Sequence, residues 1–455
     1  MKVLWICNLI LPEIARELNL PSLPKEGWVE GLLHGLMEQE NPPEMSLAFP
    51  IPKGMKKKGK ASVTEKLLPV RGQIPMGNGK VSYFGFQENT ARPETYSFRL
   101  EKEMKALLEI ARPDVIHCFG TEYPHTLAMA RALQLPRRLL ISIQGPISVY
   151  AMHYMAHLPE RVQDNATLRD LLKGDSLIRQ QQKFYMRGRN ELAAISLAGY
   201  VAGRTRFDRR LAMHWNPKLI YRSAGETLRS TFYEGSWDRA VARPGRIFLS
   251  QGDYPLKGFH YLLIAAGELL EKAKAPDADP IVKQLGEDLQ IYVAGTNIIK
   301  NETRMDRLKR TAYGSYLLSL IEKYHLEDRV HMLGRLDAEQ MKEQYLLASA
   351  YVCCSACENS PNSLGEAMVL GTPVVTSDVG GVPDMISQDE AFQYAASSED
   401  TLELVTDRLR TALVACLTDP EESDKRAALA KVRGRENHDP ERNRRQLMRI
   451  YEEMV

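Results

Sequence analysis

Short apolar runs alternate with stretches of helical periodicity along most of this chain. That alternation constrains the fold more than any other feature. Strands that return in the same direction need helical crossovers, so the pattern predicts α/β architecture with parallel, doubly wound sheets. In the first half the strand candidates are Lys2–Cys7, Met45–Phe49, Lys80–Phe86, Asp114–Phe119, Arg138–Gln144, Gly199–Ala202 and Leu219–Tyr221. In the second half they are Arg246–Ser250, Leu289–Ala294, Arg329–Leu333, Ala350–Cys354 and Pro373–Thr376. Each half therefore predicts its own sheet. Arg239, Arg243, Pro244 and Gly245, polar or breaking residues between the two series, place a boundary near Trp237–Gly245. The division is 1–240, 241–438 and a closing segment 439–455. In that segment Asp439-Pro440 precedes a helix with Leu447, Ile450, Tyr451 and Met454 on one face.

A length of 455 residues exceeds what one compact core usually holds, which agrees with two domains. Hydrophobic content of 44% with 26% charged residues fits a soluble globular protein. A net charge of +2 excludes a general polyanion binder. The first apolar run is interrupted by Asn8 and Pro12, too soon for a signal peptide, and no run is long enough to span a bilayer. Six cysteines without regular spacing point to a reducing compartment, so a cytoplasmic location is expected. Cys354 and Cys357 have a metal-like spacing, but no second pair accompanies them and Cys353-Cys354 continues a buried strand pattern. Core packing is the preferred reading, and no metal is expected.

The densest chemistry lies between Glu358 and Glu366, where two glutamates bracket the turn-forming run Asn359-Ser360-Pro361-Asn362-Ser363-Leu364-Gly365. An apolar strand precedes it and a helical run follows. Strand, loop, helix is the unit that places an anion at a helix N-terminus. Two carboxylates around such a turn suit a ligand with hydroxyls at both ends and negative charge in its middle, as a nucleotide-sugar has. In that reading Glu366 accepts from a ribose diol, and Asn362, Ser363 and Leu364 offer backbone N–H groups to phosphate oxygens. The plainer alternatives are a first-turn acid favoured by the helix dipole for Glu366 and a turn-capping carboxylate for Glu358.

Other strand ends on the same sheet edge add to this. Leu249–Gly258 follows a strand and opens a helix, and it carries Gln251 and Lys257. Lys257 is either a solvated lysine beside a turn glycine or the neutraliser of a diphosphate. Gly334 and Arg335 follow another strand, where backbone groups can read a base edge. Gly380-Gly381-Val382-Pro383 marks a tight turn after the last strand candidate.

Taken in order, Lys257-Gly258, Gly334, Glu358-x7-Glu366, Gly371-Thr372-Pro373-Val374-Val375 and Gly380-Gly381-Val382-Pro383 resemble the retaining glycosyltransferases of family 4, the glycosyl transferases group 1. The resemblance covers about the last two hundred residues closely and the first half more loosely. It implies the GT-B fold: two Rossmann-like domains facing a cleft, the C-terminal helix returning to the first. It also implies that Lys257 holds the diphosphate, Glu366 the ribose, and Glu358 hydroxyls of the transferred sugar, with no obligatory metal and no cofactor. The nucleotide-sugar is then a substrate, with a uridine diphosphate sugar expected. Many members carry an arginine where Gln251 stands, which shifts phosphate neutralisation towards Lys257 and Arg335.

The first half is expected to hold the acceptor, a glycan or lipid-linked sugar. It lacks G-x-G-x-x-G, which disfavours a redox dinucleotide, and has one glycine, Gly27, after the long loop Leu9–Glu26. His117 and Glu122 lie where a strand runs into a loop, His153 in a helical run, and Arg204 at a helix start; these are the acceptor candidates. Structural roles compete for each, a core histidine for His117 and His153 and a solvated helix start for Arg204. Gln144 stands where the family often has a histidine beside the transferred sugar. It cannot be a general base but can hydrogen-bond the donor sugar. The run Lys53, Lys56, Lys57, Lys58, Lys60 and Lys66 is most simply a solvated loop; for a lipid-linked acceptor it would hold anionic headgroups at the inner membrane surface. No nucleic-acid motif accompanies it. Two rival functions remain, a nucleotide-sugar epimerase of the same fold and a non-catalytic sugar-nucleotide binding protein.

Overall fold

The computed structural model describes residues 1–20, 27–51 and 67–455, so the lysine run at 53–66 and the loop residues 21–26 lie outside the described residues. The chain forms two compact units. The first takes Met1–Ala151, Lys183–Arg229 and His438–Val455, and the second takes Met152–Gln182 and Ser230–Asn437.

Among the described residues the first unit holds eight strands: β1 Lys2–Ile6, β2 Glu44–Ile51, β3 Val70–Met76, β4 Gly79–Gln87, β5 Val115–Phe119, β6 Leu139–Ser142, β7 Tyr200–Gly203 and β8 Ile220–Ser223. Their order is β3-β4-β2-β1-β5-β6-β7-β8. All pairs are parallel except the hairpin β3–β4. Pattern reading missed β3. Its residues Val70-Arg71-Gly72-Gln73-Ile74-Pro75-Met76 include a proline and alternate exposed with covered positions, as a sheet edge allows.

The second unit holds β9 Arg246–Leu249, β10 Gln290–Ala294, β11 Val330–Gly334, β12 Ala350–Cys353, β13 Val374–Asp378 and β14 Phe392–Ala395. The order β11-β10-β9-β12-β13-β14 is all parallel. The order reverses between β9 and β12, and both strands are fully buried, as parallel strands covered on both faces must be. Ligands in open α/β sheets bind outside the carboxyl ends of the strands at such a reversal. The loops that leave β9 and β12 contain Lys257 and Glu358.

Near the division at 240 drawn from composition, the chain passes from the first to the second unit at Arg229/Ser230. Trp237, placed there in a boundary segment, belongs to the second unit: its indole Nε1 donates to Ala348 O at 2.8 Å and its backbone N–H to Leu370 O at 2.8 Å. Residues 152–182 also belong to the second unit. Their bonds explain why: Ala156 O meets His260 Nε2 at 2.7 Å, and Asp170 Oδ2 accepts from Ala312 N at 2.8 Å. The C-terminal helix Pro440–Met454 is capped by Asp439, whose Oδ1 accepts from Arg442 N at 2.6 Å. Leu447, Ile450, Tyr451 and Met454 are buried in the core of the first unit, where the Tyr451 hydroxyl accepts from Trp5 Nε1 at 2.8 Å.

Candidate functional site

After β9 the chain makes a short helical turn, Pro255–Lys257, and Gly258 follows at φ 71° in the left-handed region. A Cβ at Gly258 would lie 1.9 Å from Cys354 O, so only glycine lets this turn press against the end of β12. That contact brings two distant loops together. Lys257 Nζ lies 2.5 Å from Glu358 Oε1, and the Ser355 hydroxyl donates to the same oxygen at 2.7 Å. Both charged side chains are largely covered, 19% exposed for Lys257 and 7% for Glu358. Burial of Lys257 works against its charge, but Glu358 above all, with Tyr254, outweighs that and holds the ammonium well above the ordinary lysine range. Gly381 N donates to Glu358 O at 3.0 Å, so the glycine turn after β13 is tied to the same loop.

The helix Asn362–Leu370 starts after Pro361 without a side-chain cap. Its first N–H groups have no partner from the helix itself. The Leu364 N–H, one of three assigned to phosphate from sequence, instead donates to Pro361 O at 3.0 Å. One turn in, Glu366 is buried and its Oε2 accepts from the Tyr345 hydroxyl at 3.1 Å. Ser363 is held twice: its hydroxyl accepts from Tyr351 at 2.8 Å and its carbonyl from Tyr345 at 3.0 Å. Gln251 Nε2 donates to Asp253 Oδ1 at 2.8 Å. Gly334 has φ 75°, and a Cβ there would meet nothing within 4 Å, so the end of β11 is open. Arg335 is exposed.

The first unit has its own polar cluster. A small cavity there is lined by Phe119, Ser142, Gln144, Arg204, Glu226 and Asn443, among others. Arg204 was read from sequence as an anion binder. Its Nη1 instead pairs with the Glu226 carboxylate, and its Nη2 donates to Gln144 O at 3.1 Å and Gln144 Oε1 at 3.2 Å. Burial lowers the affinity of Arg204 for its proton, although the acids around it resist that. Its charge is thus compensated inside the protein. Glu122 folds back over Gly120: a Cβ at Gly120 would lie 2.0 Å from Glu122 Oε2 and 3.4 Å from Gln144 Cγ. Burial pushes the Glu122 carboxyl up, against its own backbone, Arg187, His125 and Arg204.

Two further acceptor candidates find other settings. His117 is 1% exposed, with Nδ1 at 2.7 Å from the Tyr451 hydroxyl and Nε2 at 2.6 Å from the Ser142 hydroxyl. Both ring nitrogens are engaged, and burial depresses its pKa to about 3, so it is a neutral core histidine. His153 lies on the second unit's side of a changeover, in a different unit from Glu122 and Arg204.

Sequence reasoning missed Ser355, Tyr345 and Tyr351, which hold the glutamates and Ser363, and the pairing of Glu226 with Arg204. Ser355 sits inside the Cys354–Cys357 run read as core, and the tyrosines look like any buried aromatic in a chain. Those cysteines are indeed buried, and burial, then Glu358, pushes the Cys357 thiol to about 12. Among the described residues one trio, Glu13, Glu30 and His34 of the first unit, brings potential metal-ligand atoms within 4.8 Å of one another; none of the residues above belongs to it.

The architecture is that of the GT-B class, two parallel-sheet Rossmann-like units in one chain. Residues 241–413 match the family model "Glycosyl transferases group 1". Over 81 residues the chain is 35% identical to the gpi3 subunit of phosphatidylinositol N-acetylglucosaminyltransferase from Schizosaccharomyces pombe and, equally, to the putative colanic acid biosynthesis glycosyltransferase WcaL of Escherichia coli. These matches span 18% and 20% of the relatives' own lengths. Sucrose-phosphate synthase from Thermosynechococcus elongatus is similar over 100% of this chain and 99% of its own, with TM-score 0.63 and 15% identity. Anabaena Alr3699/HepE, solved in complex with UDP, aligns over 99% of each chain with TM-score 0.57 and 14% identity.

Proposed function

We propose that this chain is a retaining glycosyltransferase of family 4. It would move a sugar from a nucleotide diphosphate donor, expected to be a UDP-sugar, to a glycan or lipid-linked sugar. The observation that carries the reading is the meeting of Lys257, Glu358 and Ser355 at the reversal point of the second sheet, beside an uncapped helix start that bears Glu366. Likeness to known proteins supports it: the group 1 match covers residues 241–413 of this unit, and the curated relatives named above, matched over 81 residues, are described as sugar transferases.

In this reading the donor sits outside β9 and β12. Glu366, already steadied by Tyr345, accepts from the ribose hydroxyls. The Asn362 and Ser363 backbone and the Lys257 ammonium take the diphosphate. As the sugar–phosphate bond breaks, negative charge grows on the leaving oxygen, and a positive group fixed beforehand needs no reorganisation to stabilise it. Glu358 orients Lys257 and accepts from hydroxyls of the transferred sugar. The acceptor hydroxyl attacks from the same face, and its proton passes to the departing phosphate oxygen, so no side-chain base is required. Gln144 accordingly has a hydrogen-bonding role, with Arg204 holding its amide. The acceptor belongs to the first unit, where Glu122 is the remaining candidate. No metal is assigned a role.

A nucleotide-sugar panel read by diphosphate release, with calorimetry for each binder, tests this. Glu366→Ala should weaken nucleotide binding, and Glu358→Ala should lose transfer more than nucleotide affinity. Normal transfer by both variants would exclude this site. A product of unchanged mass from donor alone would indicate an epimerase, and saturable binding without turnover a binding protein.

A further inference from the structure

The helix Leu168–Lys173 is inverted with respect to water. Leu168, Leu171 and Leu172 are 59%, 68% and 77% exposed, while its one acid, Asp170, is 1% exposed. Spacing of three and four residues sets the leucines on one face. The helix is not frayed there. Thr167 and Asp170 form a capping box, and Gly174 closes the other end in the left-handed region. Its polar groups also fasten it to the rest of the second unit: Thr167 Oγ1 donates to Arg310 O at 2.8 Å, and Asp170 Oδ2 accepts from Ala312 N at 2.8 Å.

Arg310 and Ala312 directly follow a second helix of the same kind, Arg304–Lys309, which packs beside the first. It exposes Met305 and Leu308, each by 55%, three residues apart. Its acid, Asp306, is turned to Thr303 in another capping box. Lys173, Arg304, Arg307 and Lys309 are exposed on the two helices. The pair thus buries Asp170, ties Asp306 into a helix cap at the surface, and turns its large apolar side chains and four cations towards solvent. Water alone gives no reason for five such apolar residues on two short, rigidly capped helices.

We propose that these two helices are a docking surface for an anionic lipid bilayer. The charge pattern selects the occupant: cations meet headgroup phosphates while leucine and methionine side chains enter the boundary of the acyl region. The surface lies wholly in the second unit and does not depend on the donor chemistry proposed above.

Co-sedimentation of the full chain with vesicles tests it. Vesicles of phosphatidylcholine with about one-third phosphatidylglycerol should carry the protein down, and pure phosphatidylcholine should do so far less. The variants L168S/L171S/L172S and K173Q/R304Q/R307Q should each bind the anionic vesicles at least about tenfold more weakly. Circular dichroism and nucleotide affinity should stay as in the parent, because the altered side chains are exposed. Absence of parent binding to anionic vesicles overturns the proposal. So does unchanged binding by the leucine variant, or a concentration-dependent self-association of the parent that the leucine variant abolishes, which would make a second copy the occupant.

Discussion

Lys257 Nζ and Glu358 Oε1 lie 2.5 Å apart although 101 residues separate them in the chain. Removing one partner leaves the other charge covered and uncompensated. Lys257→Met should therefore destabilise the fold by about 3 kcal/mol, seen as a lower urea midpoint. The double variant K257M/E358Q should recover most of that stability. Sugar transfer should stay at least about a hundredfold below the parent in both, because the group proposed to face the leaving phosphate is gone in each. Transfer that returns with stability would make the pair purely structural.

The Tyr345 hydroxyl donates to Glu366 Oε2 at 3.1 Å. Glu366→Gln keeps an acceptor for Tyr345 yet offers one oxygen fewer to a diol. Calorimetry should show nucleotide affinity reduced by about tenfold, consistent with one charge-assisted hydrogen bond lost. The melting temperature should hardly move. Equal affinity in parent and variant would place the ribose elsewhere.

Arg204 and Glu226 neutralise each other with side chains 10% and 4% exposed. Arg204→Met should lower stability by about 3 kcal/mol through the carboxylate left behind, and R204M/E226Q should restore much of it. Gln144 loses its holder in both. If Gln144 positions the transferred sugar, turnover should remain low in the double variant while nucleotide affinity, assigned above to the second unit, is unchanged.

Three buried histidines make stability fall in acid. Burial depresses His117 and His260 to about 3, and burial, then Arg204, depresses His438 to about 4. In the unfolded chain each titrates near the ordinary 6.5. Below about 6.5 the unfolded state therefore binds protons that the folded state refuses, so stability is complete above that pH and declines as pH drops towards 4. At pH 5 the loss is about 2 kcal/mol per histidine. Urea titrations at pH 7 and pH 5 should show it, and His260→Gln should flatten the slope by about a third. A flat profile in the parent would mean that these rings are protonated in the folded state.

The sheets were legible in the chain because strands buried on both faces are written as continuous apolar runs, as in Arg246–Leu249 and Ala350–Cys353. The edges were less so. β3 and β14 escaped notice because an edge strand needs only partial burial, and Pro75 in β3 breaks the usual pattern. The Glu358–Glu366 loop could be read because its turn chemistry is local. Lys257 could be set on the same sheet edge, but the tyrosines that hold the loop could not, since Tyr345 and Tyr351 arrive through the packing of the sheet. His117 at its strand end is open in sequence between an acceptor-binding and a core role, and Tyr451, 334 residues away, with Ser142 supplies the core setting.

The chain passes between its two units four times, at Ala151/Met152, Gln182/Lys183, Arg229/Ser230 and Asn437/His438. No single cut therefore yields either unit whole. A fragment beginning near 241 would lack Ala156 and His157, depriving His260 Nε2 and the Tyr261 hydroxyl of the groups they meet there. Hybrid proteins made by exchanging halves of this chain at its midpoint would inherit that defect, whereas a graft that carries 152–182 along with 230–437 would transplant a complete core.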